Sequence, residues 1–332
     1  MPRRRDCVLT VGQRVHIESV TIVMKRREFL RVGTAAGAAA VVPASVVQRA
    51  KHEQQLGRLP GFNLNYAPHI GMFASHAGAD PIDQLNFMAD EGFAAFEDNG
   101  MKDRDTALQE QMASTMANRG LTMGVFVAHK IYWSEPNLAS GRQDWRDEFL
   151  AQIRESVDVA KRVNATWMTV VPGHVDLRLD MGYQTANVVE SLKRAAAILE
   201  PHRLVLVLEP LNFRNHPGLF LTKIPQAYEI CRAVASPACK ILNDLYHQQI
   251  TEGNLIPNID LAWDEIAYFQ IGDNPGRNEP TTGEINYRNV FRHIHEKGFA
   301  GVLGMEHGNS QPGKEGERAV IEAYRKVDDF GT

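Results

Sequence analysis

Cysteine is scarce in this chain of 332 residues: Cys7, Cys231 and Cys239 are the only three, and no two are spaced as CxxC. A thiolate zinc site or an iron–sulfur cluster is thereby excluded. No GxGxxG or GxxxxGKS/T loop follows the first strand-like run, so the phosphate cradle of a doubly wound nucleotide-binding sheet is missing. No apolar run reaches the roughly 18–20 residues that a membrane span needs. What remains is an ordinary globular composition, 44% hydrophobic and 23% charged. That balance excludes a disordered or collagenous chain and leaves room for one large domain or two small ones.

Residues 1–50 read differently from the rest. Lys25-Arg26-Arg27-Glu28-Phe29-Leu30 precedes a stretch from Val32 to Val47 that is almost wholly Ala, Val and Gly. A basic segment followed by a short, weakly apolar one is the layout of an export signal. The paired arginines before Phe-Leu resemble the twin-arginine signal of bacteria, a receptor-read address rather than an anchor. The resemblance implies the twin-arginine export machinery as a partner and a periplasmic or extracytoplasmic location. Cleavage is expected near Ala44 or Ala40, and Met1 and Met24 are the two candidate starts. An Ala-rich surface helix is the alternative, against which Pro43 and the lack of polar periodicity weigh. Without residues 1–44 the body keeps 28 basic and 37 acidic residues, a net charge of −9. Such a surface repels phosphate backbones, and nucleic acid is not an expected partner.

The expected organisation is an amino-terminal extension and signal over 1–50 and a second unit over 58–330. In the second, β-branched or aromatic runs alternate with amphipathic ones. Strand-like runs are Phe62–Tyr66, Phe93–Glu97, Thr122–Ala128, Thr166–Val171, Leu204–Glu209, Lys240–Asp244, Tyr268–Ile271 and Val302–Glu306. Helical runs are Pro81–Glu91, Asp103–Arg119, Trp145–Val163, Tyr183–Leu199, Ile224–Val234, Leu261–Glu265, Tyr287–Lys297 and Lys314–Val327. Several strands follow a helix that ends in Gly or Asn, as at Gly92, Gly120, Asn164 and Gly298. Eight βα units in about 270 residues predict an α/β fold, the (β/α)8 TIM barrel.

The last four strands end in polar residues. Strand five runs into Glu209-Pro210-Leu211-Asn212, strand six into Asn243-Asp244-Leu245-Tyr246-His247, strand seven into Gln270-Ile271-Gly272-Asp273, and strand eight into Met305-Glu306-His307. Barrel enzymes place catalytic groups at these carboxyl ends, so Glu209, Asp244, Gln270 and Glu306 are expected to converge. Three carboxylates and an amide oxygen suit one divalent cation, Mg²⁺ or Mn²⁺ first, with Co²⁺ or Zn²⁺ after them. Without it the carboxylates would raise one another's pKa. A salt-bridged acid at a strand end explains any single one equally well, but four in succession are poorly explained as coincidence.

The runs LEPLN (Leu208–Asn212), NDLYHQQI (Asn243–Ile250), QIGDNPGRNEPTTGEINY (Gln270–Tyr287) and GMEHG (Gly304–Gly308) resemble the hydroxypyruvate isomerase family. That family belongs to the xylose isomerase-like TIM barrels, beside the ketose 3-epimerases. The resemblance spans most of the chain from about residue 60 and implies one divalent metal on Glu209, Asp244, Gln270 and Glu306. It implies substrate contacts from His247 and Arg277, and proton transfer through an enediolate between Glu209 and Glu306. The implied substrate is a small α-hydroxycarbonyl compound: hydroxypyruvate, giving tartronate semialdehyde, or a ketose. Related barrels often form dimers or tetramers, so the resemblance extends to a homo-oligomer.

His129 and His174 follow strands three and four, where each is either a substrate contact or a polar loop residue. Glu97 ends strand two and reads as a hydrogen-bonded carboxylate behind the site. Trp133 and Phe213 either line the pocket or pack in loops. Cys231 and Cys239 read as buried thiols rather than a disulfide. An export signal is unusual for three-carbon metabolism and points toward a sugar derivative met outside the cytoplasm. Two further readings use the same barrel. An exported sugar-binding protein without turnover would keep Glu209 and Glu306 as ligands. An apurinic-site endonuclease would need a histidine-rich cluster of three metals, where this chain has Glu97 and Gln270.

Overall fold

Each strand-like run pairs in parallel with its neighbour in the computed structural model, which describes residues 61–330. The strands are β1 (Asn65–Ala67), β2 (Ala95–Phe96), β3 (Thr122–Met123), β4 (Trp167–Val170), β5 (Val205–Leu208), β6 (Cys239–Asp244), β7 (Ile266–Gln270) and β8 (Val302–Gly304). Six form one sheet in the order β1-β8-β7-β6-β5-β4, and β2 and β3 form another. Single bridges, His69 to Glu97 and Val127 to Thr169, join the two sheets at both edges. The cyclic order is that of the expected (β/α)8 barrel. The twin arginines, both cleavage sites, both starts and Cys7 lie outside the described residues. Among the described residues no helix is long and apolar enough to cross a membrane.

Local chemistry sets the helices between the strands. Asp80 caps Pro81–Asp90 by accepting the Ile82 N–H at 2.8 Å, with Pro81 in the first turn. Gly120 and Asn164 end their helices in the left-handed region, at φ 66° and 53°. Two expectations need correction. The single helix expected over Leu261–Glu265 is instead the end of a longer helix, Leu255–Ala262, followed by a 3₁₀ turn, Trp263–Glu265, and a further helix, Leu245–Thr251, comes before both. Regular pairing of strand three stops at Met123, because beyond it the chain touches β4 only through one bridge.

Side chains alternate across a strand, so residues two apart share a face. The outward face packs against the helices in the main core. The inward face supplies Ala67, Ala95, Val125, Val207, Leu242, Tyr268 and Val302, a separate buried cluster that plugs the barrel. Two residues further along their strands stand Glu97, Glu209, Asp244 and Gln270. The apolar plug is the floor on which these polar groups rest. On β8 the same tier holds Gly304, and the next inward side chain is Glu306.

Candidate active site

Asp244 closes β6 and caps the helix Leu245–Thr251. Its Oδ1 accepts the N–H groups of Tyr246 (2.7 Å) and His247 (3.1 Å), which have no intrahelical acceptor. Its Oδ2 stays turned into the barrel mouth, 3.7 Å from His247 Nε2 and 3.4 Å from Arg277 Nη2. Glu209 Oε1 approaches the same His247 nitrogen at 3.8 Å. Ligand atoms of Glu209, Asp244 and His247 all lie within 4.8 Å of one another, a group able to hold a metal ion.

Glu306 reaches the cluster from β8. Its Oε2 accepts from Arg277 Nη2 at 2.6 Å and its Oε1 from Asn99 Nδ2 at 2.9 Å. Arg277 also donates through Nε to the Glu306 carbonyl (3.2 Å) and lies over the Tyr246 ring. The long loop before Tyr287 carries this arginine and is held from within. Buried Asp273 accepts the N–H groups of Asn274, Gly283 and Ile285, and Tyr287 Oη donates to the Gly272 carbonyl at 2.7 Å. Gly272 admits the arginine, since a Cβ there would stand 3.1 Å from Arg277 Cγ.

Gln270 ends β7, opposite Asp244 in register. Its Nε2 donates to Glu97 Oε1 at 3.4 Å, and its buried Oε1 has no partner. Glu97 Oε2 accepts from Tyr268 Oη at 2.9 Å.

The electrostatics follow from this crowding. Burial first, then the charges of Glu306 and Asp244, holds the Glu209 carboxyl well above the usual carboxylate range. Burial and then Glu306 do the same to Glu97. Glu306 is raised to about 7 by burial, opposed by Arg277 and reinforced by Asp244. Burial pulls His247 down to about 4, so its ring is neutral near pH 7. Both the N–H of Asn212 (3.1 Å) and its side-chain Nδ2 (2.7 Å) donate to His247 Nδ1. The ring proton therefore sits on Nε2, which has no hydrogen-bond partner and faces the acids. In this tautomer the His247 nitrogen that faces Glu209 and Asp244 carries the donor proton, and it could ligate a cation only after giving that proton up.

All six of Glu209, Asp244, Gln270, Glu306, His247 and Arg277 meet at one mouth. His129 and His174 do not join them. His129 Nε2 accepts the N–H of Val171 at 3.3 Å, and the ring stands edge-on to Phe149. His174 shares a hydrogen bond with the Val175 carbonyl and packs against Gly218. Trp133, half exposed at the rim, stacks on His216, which in turn contacts His247 at 5.5 Å between centroids. Cys231 and Cys239 are buried free thiols. Asn99, Asn212 and His216 were absent from the sequence expectations. Asn212 sits inside the LEPLN run, but nothing in spacing marks Asn99 or His216.

Residues 85–327 match the family model described as xylose isomerase-like TIM barrel. The hydroxypyruvate isomerase of Escherichia coli is 30% identical over 196 residues, 55% of this chain and 75% of that protein. The 2-oxo-tetronate isomerase of Cupriavidus necator is 30% identical over 253 residues, 75% of this chain and 93% of that protein. Among solved structures, one described as AP endonuclease, family 2, from Brucella melitensis superposes with a TM-score of 0.66. It is 24% identical and covers 78% of this chain and 96% of its own, which speaks to the fold alone.

Proposed function

The chain belongs to the xylose isomerase-like TIM barrel family, and from that premise we propose that it is an isomerase of small hydroxy-keto acids. We propose further that it works with one divalent cation on Glu209, Asp244, Gln270 and Glu306. The observation that carries this reading is the donor set itself. Two of its three carboxylates are raised by burial, and the Gln270 oxygen is buried without a donor. An unpaired buried acceptor costs about 1–3 kcal/mol. All-oxygen donors of this kind fit a hard cation such as Mg²⁺ or Mn²⁺. When bound, the cation supplies Lewis-acid polarisation of the substrate's carbonyl and neighbouring hydroxyl.

The chain's own groups do the rest. Glu209 and Glu306 stand on non-adjacent strands and move a proton off one carbon and onto its neighbour. For hydroxypyruvate the proton leaves C3 and returns at C2, while the hydroxyl proton passes between the two oxygens, giving tartronate semialdehyde. His247 Nε2–H donates to the substrate oxygen that gains charge. Arg277 pairs with the substrate carboxylate, the role its planar fork suits.

Solvent deuterium incorporation tests the reading. The purified protein with Mn²⁺ is incubated with hydroxypyruvate, a four-carbon 2-oxo acid and short ketoses. We expect Mn²⁺-dependent exchange beside the carbonyl of the keto acids, reduced by about 10²–10⁴ in Glu306→Gln. Stoichiometric Mn²⁺ with no exchange on any substrate would favour a binding protein instead. Residues 1–50 are proposed as a twin-arginine address for this catalytic unit. A reporter fusion that is still exported after Arg26 and Arg27 become lysine would refute that.

A further inference from the structure

A hydrogen-bonded chain runs beneath the cluster. The Val125 N–H donates to Tyr268 Oη at 3.4 Å, Tyr268 O–H donates to Glu97 Oε2 at 2.9 Å, and Glu97 Oε1 accepts from Gln270 Nε2 at 3.4 Å. A backbone N–H cannot reverse, a hydroxyl can accept one bond and donate another, and a carboxylate only accepts. The Val125 N–H thus turns the Tyr268 hydroxyl proton toward one Glu97 oxygen, and the other Glu97 oxygen accepts the Gln270 NH₂. The chain's last member, Gln270, is left with its carbonyl oxygen buried and without a partner, on the strand position opposite Asp244.

Two glycines make room for this chain. A Cβ at Gly304 would collide with the Glu97 carboxylate, and one at Gly124 with Tyr268 Oη. Glu97 itself is only 1% exposed, and its two oxygens are spent on Tyr268 and Gln270. We propose that Glu97 is a positioning residue: it fixes which end of the Gln270 amide faces the cation, and so converts an ambiguous side chain into an oxygen ligand. This rests on the metal reading above and goes beyond it, since Glu97 is not itself a ligand in that reading.

The test is a reciprocal exchange of near-isosteric groups, read as Mn²⁺ affinity of the full chain by titration calorimetry without substrate. In Glu97→Gln the new carbonyl stays with Tyr268 O–H and the new NH₂ faces Gln270. Gln270 must then turn its carbonyl inward and present its own NH₂ to the cation. Gln270→Glu alone sets two carboxylates against each other. The double variant Glu97→Gln/Gln270→Glu restores a donor–acceptor pair, keeps the net charge and leaves one carboxylate oxygen for the cation. Each single change is expected to weaken Mn²⁺ binding about 10–100-fold, as is usual for groups that orient a metal ligand. The double variant is expected to return to within about threefold of the original, a strongly non-additive cycle.

Unchanged affinity in Glu97→Gln, or a double variant weaker than either single one, would overturn the assignment while leaving the metal reading intact. No Mn²⁺ binding by the unaltered protein would overturn both. Melting temperatures separate a folding defect from a binding defect: a variant that melts early yet binds normally counts against the proposal. The double variant, with every group paired, decides the matter even where a single one unfolds.

Discussion

The six-stranded and two-stranded sheets that close this barrel are built to different standards. Within the larger sheet β4 and β5 pair over four residues, β5 and β6 over three, and β6 and β7 over four with one register shift between Ile241 and Leu242, while β7 and β8 pair over two. β2 and β3 hold two residues each and reach their neighbours through single bridges. Glu209, Asp244, Gln270 and Glu306 all stand on the first sheet, whereas the second sends in Glu97 and Asn99. A slip of one residue turns a side chain to the opposite face of a sheet. Most of the groups that repel one another therefore come from strands paired on both sides within one sheet, while the hydrogen-bonding partners come from strands tied to it by single bridges.

The sharpest way to break this comparison is to unbalance the charges of the larger sheet. Arg277 is the cation bonded to both Glu306 and Asp244. Arg277→Met removes charge-assisted hydrogen bonds worth about 1.5–3 kcal/mol, so kcat/KM for keto acids should fall about 10–100-fold. Ketoses, which carry no carboxylate, should lose less. Equal losses for both substrate types would remove Arg277 from carboxylate recognition. The carboxylates should also titrate higher in this variant, moving the pH profile of exchange toward alkali.

Most of the larger sheet was legible in the sequence, because its last four strands are each a short apolar run that ends in a polar residue. Period-two alternation then places Glu209 two residues above Val207, and Asp244 two above Leu242. Less could be read where tertiary contacts override local signals. The helix Leu245–Thr251 begins straight out of β6 and depends on Asp244 as its cap, which removes the loop normally sought between strand and helix. Ala235 ends its helix in the left-handed region at φ 56° although it is neither Gly nor Asn. His129 occupies the strand-end position expected of a substrate contact, yet its ring nitrogen is taken by a backbone N–H that no sequence pattern announces.

A smaller effect, on the same side of the comparison, follows from pH. Glu306 titrates near 7 against a usual 4.5, so its proton contributes stability that is fully present below about 4.5 and lost as pH rises through about 7. Glu97 and Glu209 are raised in the same direction. The cation-free protein should therefore melt lower at about pH 8 than at about pH 6. Mn²⁺ affinity should rise by up to about tenfold per pH unit below 7 and then level off, since the cation and the proton compete. Titration calorimetry and melting curves at both pH values check this, and equal melting temperatures would mean that the acids do not strain the larger sheet.

The smallest expected effect lies in the loop that leaves β3 of the other sheet. His129→Leu leaves the Val171 N–H without its acceptor, at a cost of about 1–3 kcal/mol, or a few degrees in melting temperature. Burial lowers the His129 pKa to about 4, so the stability it contributes is present above about 6.5 and lost as pH falls through about 4. The variant should accordingly lose less stability on acidification than the original. Deuterium exchange should stay within about threefold, because the ring nitrogen faces a strand rather than the substrate. A loss beyond tenfold at an unchanged melting temperature would return His129 to the substrate's side and would erase the division of labour between the two sheets.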